Sequence, residues 1–141
     1  MLIKQLSVFL EDRSGRLTEL TRILAENDVN ITALTVAETA DYGMVLMVVG
    51  RPERAKKALE EAGFTVGLTE VVCAKMPDQP GSLHCILQIL TEEQINVDYM
   101  YAFSNSNVAL AVIRSADISR VAGVLQQHKL ELLSGSDLYQ V

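Results

Sequence analysis

Tryptophan is absent from this chain of 141 residues, and four tyrosines and three phenylalanines are its only aromatics, so any core must be aliphatic. Cysteine is scarce. Cys73 and Cys85 are too few for a disulfide framework and lack the CxxC spacing of a redox or metal loop. Positive charge is in deficit, with 12 Lys and Arg scattered against 18 Asp and Glu for a net charge of −6, which repels phosphate backbones and argues against nucleic acid. No run of about 18 apolar residues occurs, and Met1 leads straight into an alternating strand with no charged-then-apolar leader. The expectation is a cytoplasmic protein with no membrane partner. What is present is apolar: 49% of residues, with 21% charged, enough to pack a core and too little charge for a disordered chain.

The chain repeats itself. Glu11-Asp12-Arg13-Ser14-Gly15-Arg16-Leu17 lines up with Pro77-Asp78-Gln79-Pro80-Gly81-Ser82-Leu83 at a shift of 66, which also carries Leu20 onto Ile86, Leu24 onto Leu90, Val29-Asn30-Ile31 onto Ile95-Asn96-Val97 and Leu59 onto Leu125. Aligning the middle hairpin takes a gap of about two residues. The order of periods is the same in both halves. Residues 2–10 alternate as a half-buried strand, with Leu6, Val8 and Leu10 on one face; Leu17, Leu20 and Leu24 then recur at helical spacing up to Asn27. Residues 29–38 alternate again, Asp41-Tyr42-Gly43 supplies a turn, and 44–49 is an all-apolar central strand. Pro52 opens a second helix, Gly63 ends it, and Phe64, Val66 and Leu68 make the last strand.

The second half predicts a strand over 71–76, a helix over 82–93, a strand over 95–104, a turn at Ser104-Asn105-Ser106-Asn107, a strand over 108–114, a helix over 116–128 capped by Ser115, and a strand over 130–133. Strand-helix-strand-strand-helix-strand, twice, is an α+β chain of two tandem ferredoxin-like βαββαβ modules, residues 1–69 and 70–141, with antiparallel sheets carrying both helices on one face. The other face is expected to be left uncovered. Modules this small, with apolar open strands, predict a homodimer.

Chemistry concentrates in the loop between first strand and first helix, written twice as Asp-x-x-Gly. Gly15 and Gly81 permit close approach to the backbone, and the helix behind presents unpaired N–H groups and a positive dipole end to a carboxylate. Asp12 and Asp78 offer an acceptor for an ammonium group, so one loop can hold both ends of a free amino acid. An Asp cap and a turn Gly are also ordinary structural features; duplication at matched positions, each followed 15 residues later by Asn30 or Asn96, favours a ligand. The two asparagines, expected on strands where Asn is a poor fit, offer a donor and an acceptor together.

These residues resemble the ACT domain, a small-molecule-sensing module of this βαββαβ order. Asp12, Gly15 and Leu17, and again Asp78, Gly81 and Leu83, match its Asp-x-x-Gly-x-Leu loop, followed by Val-Asn-Ile at 29–31 and Ile-Asn-Val at 95–97. The resemblance implies amino-acid binding at interfaces between paired domains. It places ligand-binding residues at Asp12, Arg13, Ser14, Gly15, Arg16 and Leu17, facing Asn96 and Val97, and at Asp78, Gln79, Pro80, Gly81, Ser82 and Leu83, facing Asn30 and Ile31. A freestanding ACT pair further implies that any regulated enzyme or regulator is a separate protein, and that no cofactor is needed.

Other functions fit less well. The acylphosphatase family shares the strand order, and Arg13, Arg16 and Asn30 superficially match its site, but its basic phosphate loop is absent and Gln79 and Ser82 replace both arginines in the second copy. Arg13 and Arg16 read as solvated helix-start residues. Heavy-metal domains of this architecture need CxxC in the first loop; His84 and Cys85 are adjacent on a helix and diverge by about 100°. His128 reads as a helix C-cap. No catalytic set converges, so the expectation is a binding protein and not an enzyme. A protein-interaction module without a small ligand is the alternative. Tyr99, Tyr101 and Phe103 stand where the first repeat has Ala33, Thr35 and Ala37, an asymmetry that points either to unequal ligand sites with only one occupied or, the favoured account, to core packing.

Overall fold

A computed structural model describes residues 2–11, 14–38 and 43–138. Two compact units are built mainly from Lys4–Thr69 and from Glu70–Gly135. The first contains β1 (Ile3–Leu10), α1 (Arg16–Glu26), β2 (Ile31–Glu38), β3 (Gly43–Val49), α2 (Pro52–Glu61) and the opening of β4 (Val66–Pro77). Its strands run in the order β2-β3-β1-β4, antiparallel along β2–β3 and β3–β1. The second holds the remainder of β4, then α3 (Ser82–Glu92), β5 (Tyr99–Asn105), β6 (Val108–Arg114) and α4 (Ile118–Gln127), with strand order β4-β6-β5. A four-residue helix, α5 (Gly135–Leu138), follows.

Each unit packs its two helices on one face of its strands. Leu20 and Leu24 from α1 and Ala55 and Leu59 from α2 meet Leu6, Val8, Val45 and Met47 in the first unit. Ile86 and Leu90 from α3 and Val121 and Leu125 from α4 meet Val72, Ala74, Ala111 and Ile113 in the second. The i, i+4 spacing of the helical pairs gives each helix the apolar stripe that the sheet covers. The α+β architecture of two tandem ferredoxin-like modules therefore stands.

The repeat is stricter than the sequence suggests. Glu38↔Gly43 in one hairpin and Ser104↔Ala109 in the other are related by the same shift of 66 as the helices, so no gap is needed. β5 and β6 simply add one more pair, Asn105↔Val108, and close through Ser106 and Asn107 at positive φ, the geometry of a two-residue hairpin turn. The turn expected at Asp41 and Tyr42 lies outside the described residues.

Several expectations change. The strand predicted at Phe64, Val66 and Leu68 and the one over 71–76 are one strand of 12 residues, Val66–Pro77, because the backbone stays extended throughout. The strand predicted over 130–133 shrinks to a bridge, Ala74↔Leu132, held by Lys75 N–H to Glu131 O and Leu133 N–H to Cys73 O, both 2.9 Å. The face turned away from the helices is not bare: Gln5, Leu46 and Val48 in the first unit and Cys73, Leu110 and Val112 in the second are buried. Tyr101 and Phe103 are half-buried on that face, opposite Val112 and Leu110. Burial, with smaller contributions from Tyr99 and Cys73, pushes the Tyr101 phenol well up. Leu17 leaves the core stripe and is exposed, as is Leu83. Ser115 is not the N-cap of α4. Asp117 is, without a side-chain cap bond, while buried Ser115 donates from Oγ to Asn96 O at 2.8 Å and accepts from Asp117 N–H at 3.3 Å.

Candidate functional site

Both strand-to-helix loops end in a left-handed glycine that serves as the helix N-cap, Gly15 at φ 86° and Gly81 at φ 91°. Neither glycine cap makes a side-chain hydrogen bond, and each helix behind runs 11 residues, so its positive dipole end favours an anion. A Cβ built on either glycine meets nothing within 4 Å. Glycine is needed there for its φ, and the space above the backbone is open. Asp12 and Arg13 fall outside the described residues. Ser14 and Gly15 are exposed, as are Asp78, Gln79, Pro80 and Gly81. In the second loop, Asp78 N–H donates to Asn107 O at 3.2 Å and Ser82 N–H to Gln79 O at 3.3 Å, tying the loop to the β5–β6 turn and to itself.

Two cavities flank this second loop. One, of about 290 Å³, is lined by Met76, Pro77, Gln79, Pro80, Gly81, Ser82, Cys85, Ile86, Ile89 and Leu130. The other, of about 250 Å³, is lined by Asp78, Gln79, Ser82 and Leu83 from the loop and by Ala102, Phe103, Ser104 and Ala109 beside Met76 and Pro77. The first is mostly apolar and the second mixed. Four residues, Met76, Pro77, Gln79 and Ser82, border both.

Neither Asn30 nor Asn96 is brought to the loop of its own module. Leu10 pairs with Gly43 and Gly43 with Glu38, whereas Ile31 pairs with Val49. Asn30 therefore sits at the far end of β3 from its own loop, about 20 Å away at the rise of an extended strand. The second unit repeats this, with Pro77 opposite Val108 and Tyr99 opposite Arg114. Both asparagines are exposed and precede their strands instead of lying on them, which corrects the expected boundaries. Their carbonyls are engaged, Asn30 O by Gly50 N–H at 2.9 Å and Asn96 O by Ser115. Ile31 and Val97 are half-buried beside them.

A family model described as an ACT domain pair matches residues 1–141. The chain belongs to that family. A crystal structure of a protein from Bacteroides thetaiotaomicron is 45% identical, superposes with a TM-score of 0.95 and aligns over 100% of this chain and 98% of its own. The regulatory subunit of aspartate kinase from Thermus thermophilus, ligand-free, shares the fold at 16% identity and TM-score 0.66, over 88% of this chain and 91% of that one. Its counterpart from Thermus flavus is 16% identical with TM-score 0.63, over 90% and 94%. Comparison with curated proteins gives no match. An ACT pair is a regulatory domain arrangement. Among the described residues no helix is long and apolar enough to cross a membrane, and no three His, Cys, Asp or Glu side chains group as for a metal ion.

Within the ACT pair the two loops differ in what lies behind them. Arg16 is not a solvated residue: its side chain is 8% exposed, its guanidinium carbon lies 3.9 Å from the centroid of the Phe64 ring, and it pairs with Glu19 at 3.0 Å and Glu11 at 3.8 Å. Its Nε is buried with no hydrogen-bond partner. Composition hides such a residue, because an arginine at a helix start normally reads as surface. The repeat carries the missed signal, since Arg16, Glu19 and Phe64 become Ser82, Cys85 and Leu130 together at the same shift of 66.

Proposed function

We propose that this ACT pair is a non-catalytic cytoplasmic regulatory protein that binds a free amino acid at its strand-to-helix loop and passes the bound state to a separate enzyme or regulator. The observation that carries this reading is the second loop, where a left-handed glycine, an open helix N-terminus and the Asp78 carboxylate adjoin two cavities of amino-acid size. A carboxylate suits the helix end, and an ammonium group suits Asp78. Because Asn30 and Asn96 lie far from the loops of their own modules, either asparagine can contribute only to a loop of another module. A homodimer is one way to supply it, and Leu34 and Val36, 41% and 43% exposed on the edge strand β2, are the apolar surface a second copy would cover.

Calorimetric titration with the twenty amino acids, paired with thermal melting, tests the proposal. Binding to the native state alone raises stability by about 2.7 kcal/mol at a hundred times Kd. Heat and stabilisation from at least one amino acid are expected. Neither, from any of the twenty, would overturn the reading in favour of a protein-interaction module that uses the exposed apolar edge.

A further inference from the structure

We infer that ligand binding belongs to the second module alone, and that the apolar cavity behind Ser82 takes the aliphatic or thioether side chain of a leucine- or methionine-like amino acid. This rests on the amino-acid reading above and narrows it to one site and one ligand class.

The shift of 66 that relates α1 to α3, α2 to α4 and one hairpin to the other makes the two modules a controlled comparison. It carries Leu10 onto Met76, Leu20 onto Ile86, Ile23 onto Ile89, Arg16 onto Ser82 and Phe64 onto Leu130. In the first module this space is filled by the chain itself: the Arg16 guanidinium lies flat on the Phe64 ring, and Arg16, Ile23 and Phe64 are all buried. In the second, Ser82 lacks nearly the whole length of the arginine and Leu130 lacks the ring. The result is a cavity of about 290 Å³, and Ser82, Ile89 and Leu130 are each only partly buried around it. Apolar side chains left open in this way gain by being covered, at roughly 25 cal/mol per Å².

The lining sets the ligand class. No charged residue borders the cavity, and Met76, Pro77, Pro80, Ile86, Ile89 and Leu130 make most of it apolar, so a charged side chain would lose its hydration there with little beyond the Gln79 amide and the Ser82 hydroxyl to offset the loss. The polar end of the ligand has its own place across the loop, where Asp78, Gln79, Ser82 and Ser104 border the second cavity. Met76, Pro77, Gln79 and Ser82 border both cavities, so head and tail of one amino acid meet at these four residues.

Cys85 makes the test direct, because it borders the apolar cavity and is exposed, whereas Cys73 is buried. With an aromatic disulfide reagent, the wild-type chain should show one fast thiol, and saturating L-leucine or L-methionine should slow it about tenfold, while L-lysine and L-aspartate leave it unchanged. Calorimetry should give one L-leucine per chain. The double variant S82R/L130F, which places the arginine and the ring of the first module's plug in the cavity, should lose about a hundredfold in affinity, and R16S/F64L should keep the original site. An unaltered Cys85 rate under saturating L-leucine, two ligands per chain, or unchanged affinity in a cooperatively melting S82R/L130F would overturn the inference. Tight binding of a charged amino acid in place of leucine would overturn it while leaving the amino-acid reading intact; silence from all twenty would end both. The thiol measurement needs no variant, so a misfolded double mutant does not shield the proposal.

Discussion

Replacing Gly81 separates what the loop does for the fold from what it does for a ligand. Its φ of 91° lies where an L-residue is strained by about 1–2 kcal/mol. A Cβ there meets no atom within 4 Å, so no steric penalty adds to the backbone one. Removing glycine also stiffens the unfolded chain, which returns about 0.4–1 kcal/mol to the folded state. Gly81→Ala should therefore cost about 1 kcal/mol, and Gly81→Val about 2 because a β-branched residue resists this region more. Gly81→Asn should cost only a few tenths, since asparagine visits the left-handed region readily. Urea unfolding followed by circular dichroism resolves these steps, and for a chain of this size 1 kcal/mol is worth about 3 °C in Tm. Gly15, at φ 86° and equally unobstructed, should give the same ladder of stabilities. Binding should split the pair: Gly81→Val abolishes it and Gly15→Val leaves it within about twofold of wild type. If alanine were neutral at both positions, or asparagine as damaging as valine, φ would not be the reason for glycine; equal loss of binding from both valine variants would refute the assignment to one module.

Three further outcomes follow from single contacts. Arg16→Ala should destabilise by about 2 kcal/mol through the lost stacking on Phe64 and the space left behind, and Arg16→Lys should recover little of it because an ammonium cannot lie flat on the ring; urea titration of the three proteins decides. Ser115→Ala should cost about 1–3 kcal/mol by leaving the Asn96 carbonyl and the Asp117 N–H without their shared hydroxyl, and a cost below 0.5 kcal/mol would show that water replaces it. Burial pushes the Cys73 thiol up to about 12, so the folded chain holds a proton that the unfolded chain releases from about pH 9 upward. Stability is unaffected well below pH 9 and should fall by about 1 kcal/mol per pH unit between 9 and 10, and in Cys73→Ala most of that slope should vanish, leaving the smaller part that the raised Tyr101 phenol contributes as pH nears 10.

The sequence shows the element order because apolar spacing alone switches between two and three-to-four residues in the same order in both halves. It misplaces boundaries where no residue marks them. Between Phe64 and Pro77 the division into two strands came from the repeat, while from Leu68 through Met76 no turn former interrupts the strand and Gly67 near its start does not break it. Asn30 and Asn96 look like strand residues because their neighbours alternate, yet their carbonyls are claimed by Gly50 and Ser115 before pairing begins. The loops are legible from Asp-x-x-Gly; the cavity behind the second one is not, because a cavity is a lack of side-chain volume and depends on residues as distant as Ile89 and Leu130.

Backbone and side chain have diverged at different rates between the modules, and the pattern is physical. Left-handed conformations recur at 15 and 81, at 28 and 94, and at 63 and 129, so the turns that set the fold are common to both. The side chains that differ at the loops are neighbours of one another: Arg16 touches Glu11, Glu19 and Phe64, and their counterparts are Ser82, Pro77, Cys85 and Leu130. Such a set changes as a group, because an arginine buried over leucine, with proline and cysteine in place of its two carboxylates, would be a desolvated charge with nothing to offset it. Conversely, a phenylalanine and two carboxylates around Ser82 would hold unpaired negative charge at the mouth of an apolar pocket. Each end state is internally consistent, one closed by the chain's own cation and one open, and this chain contains each of them once.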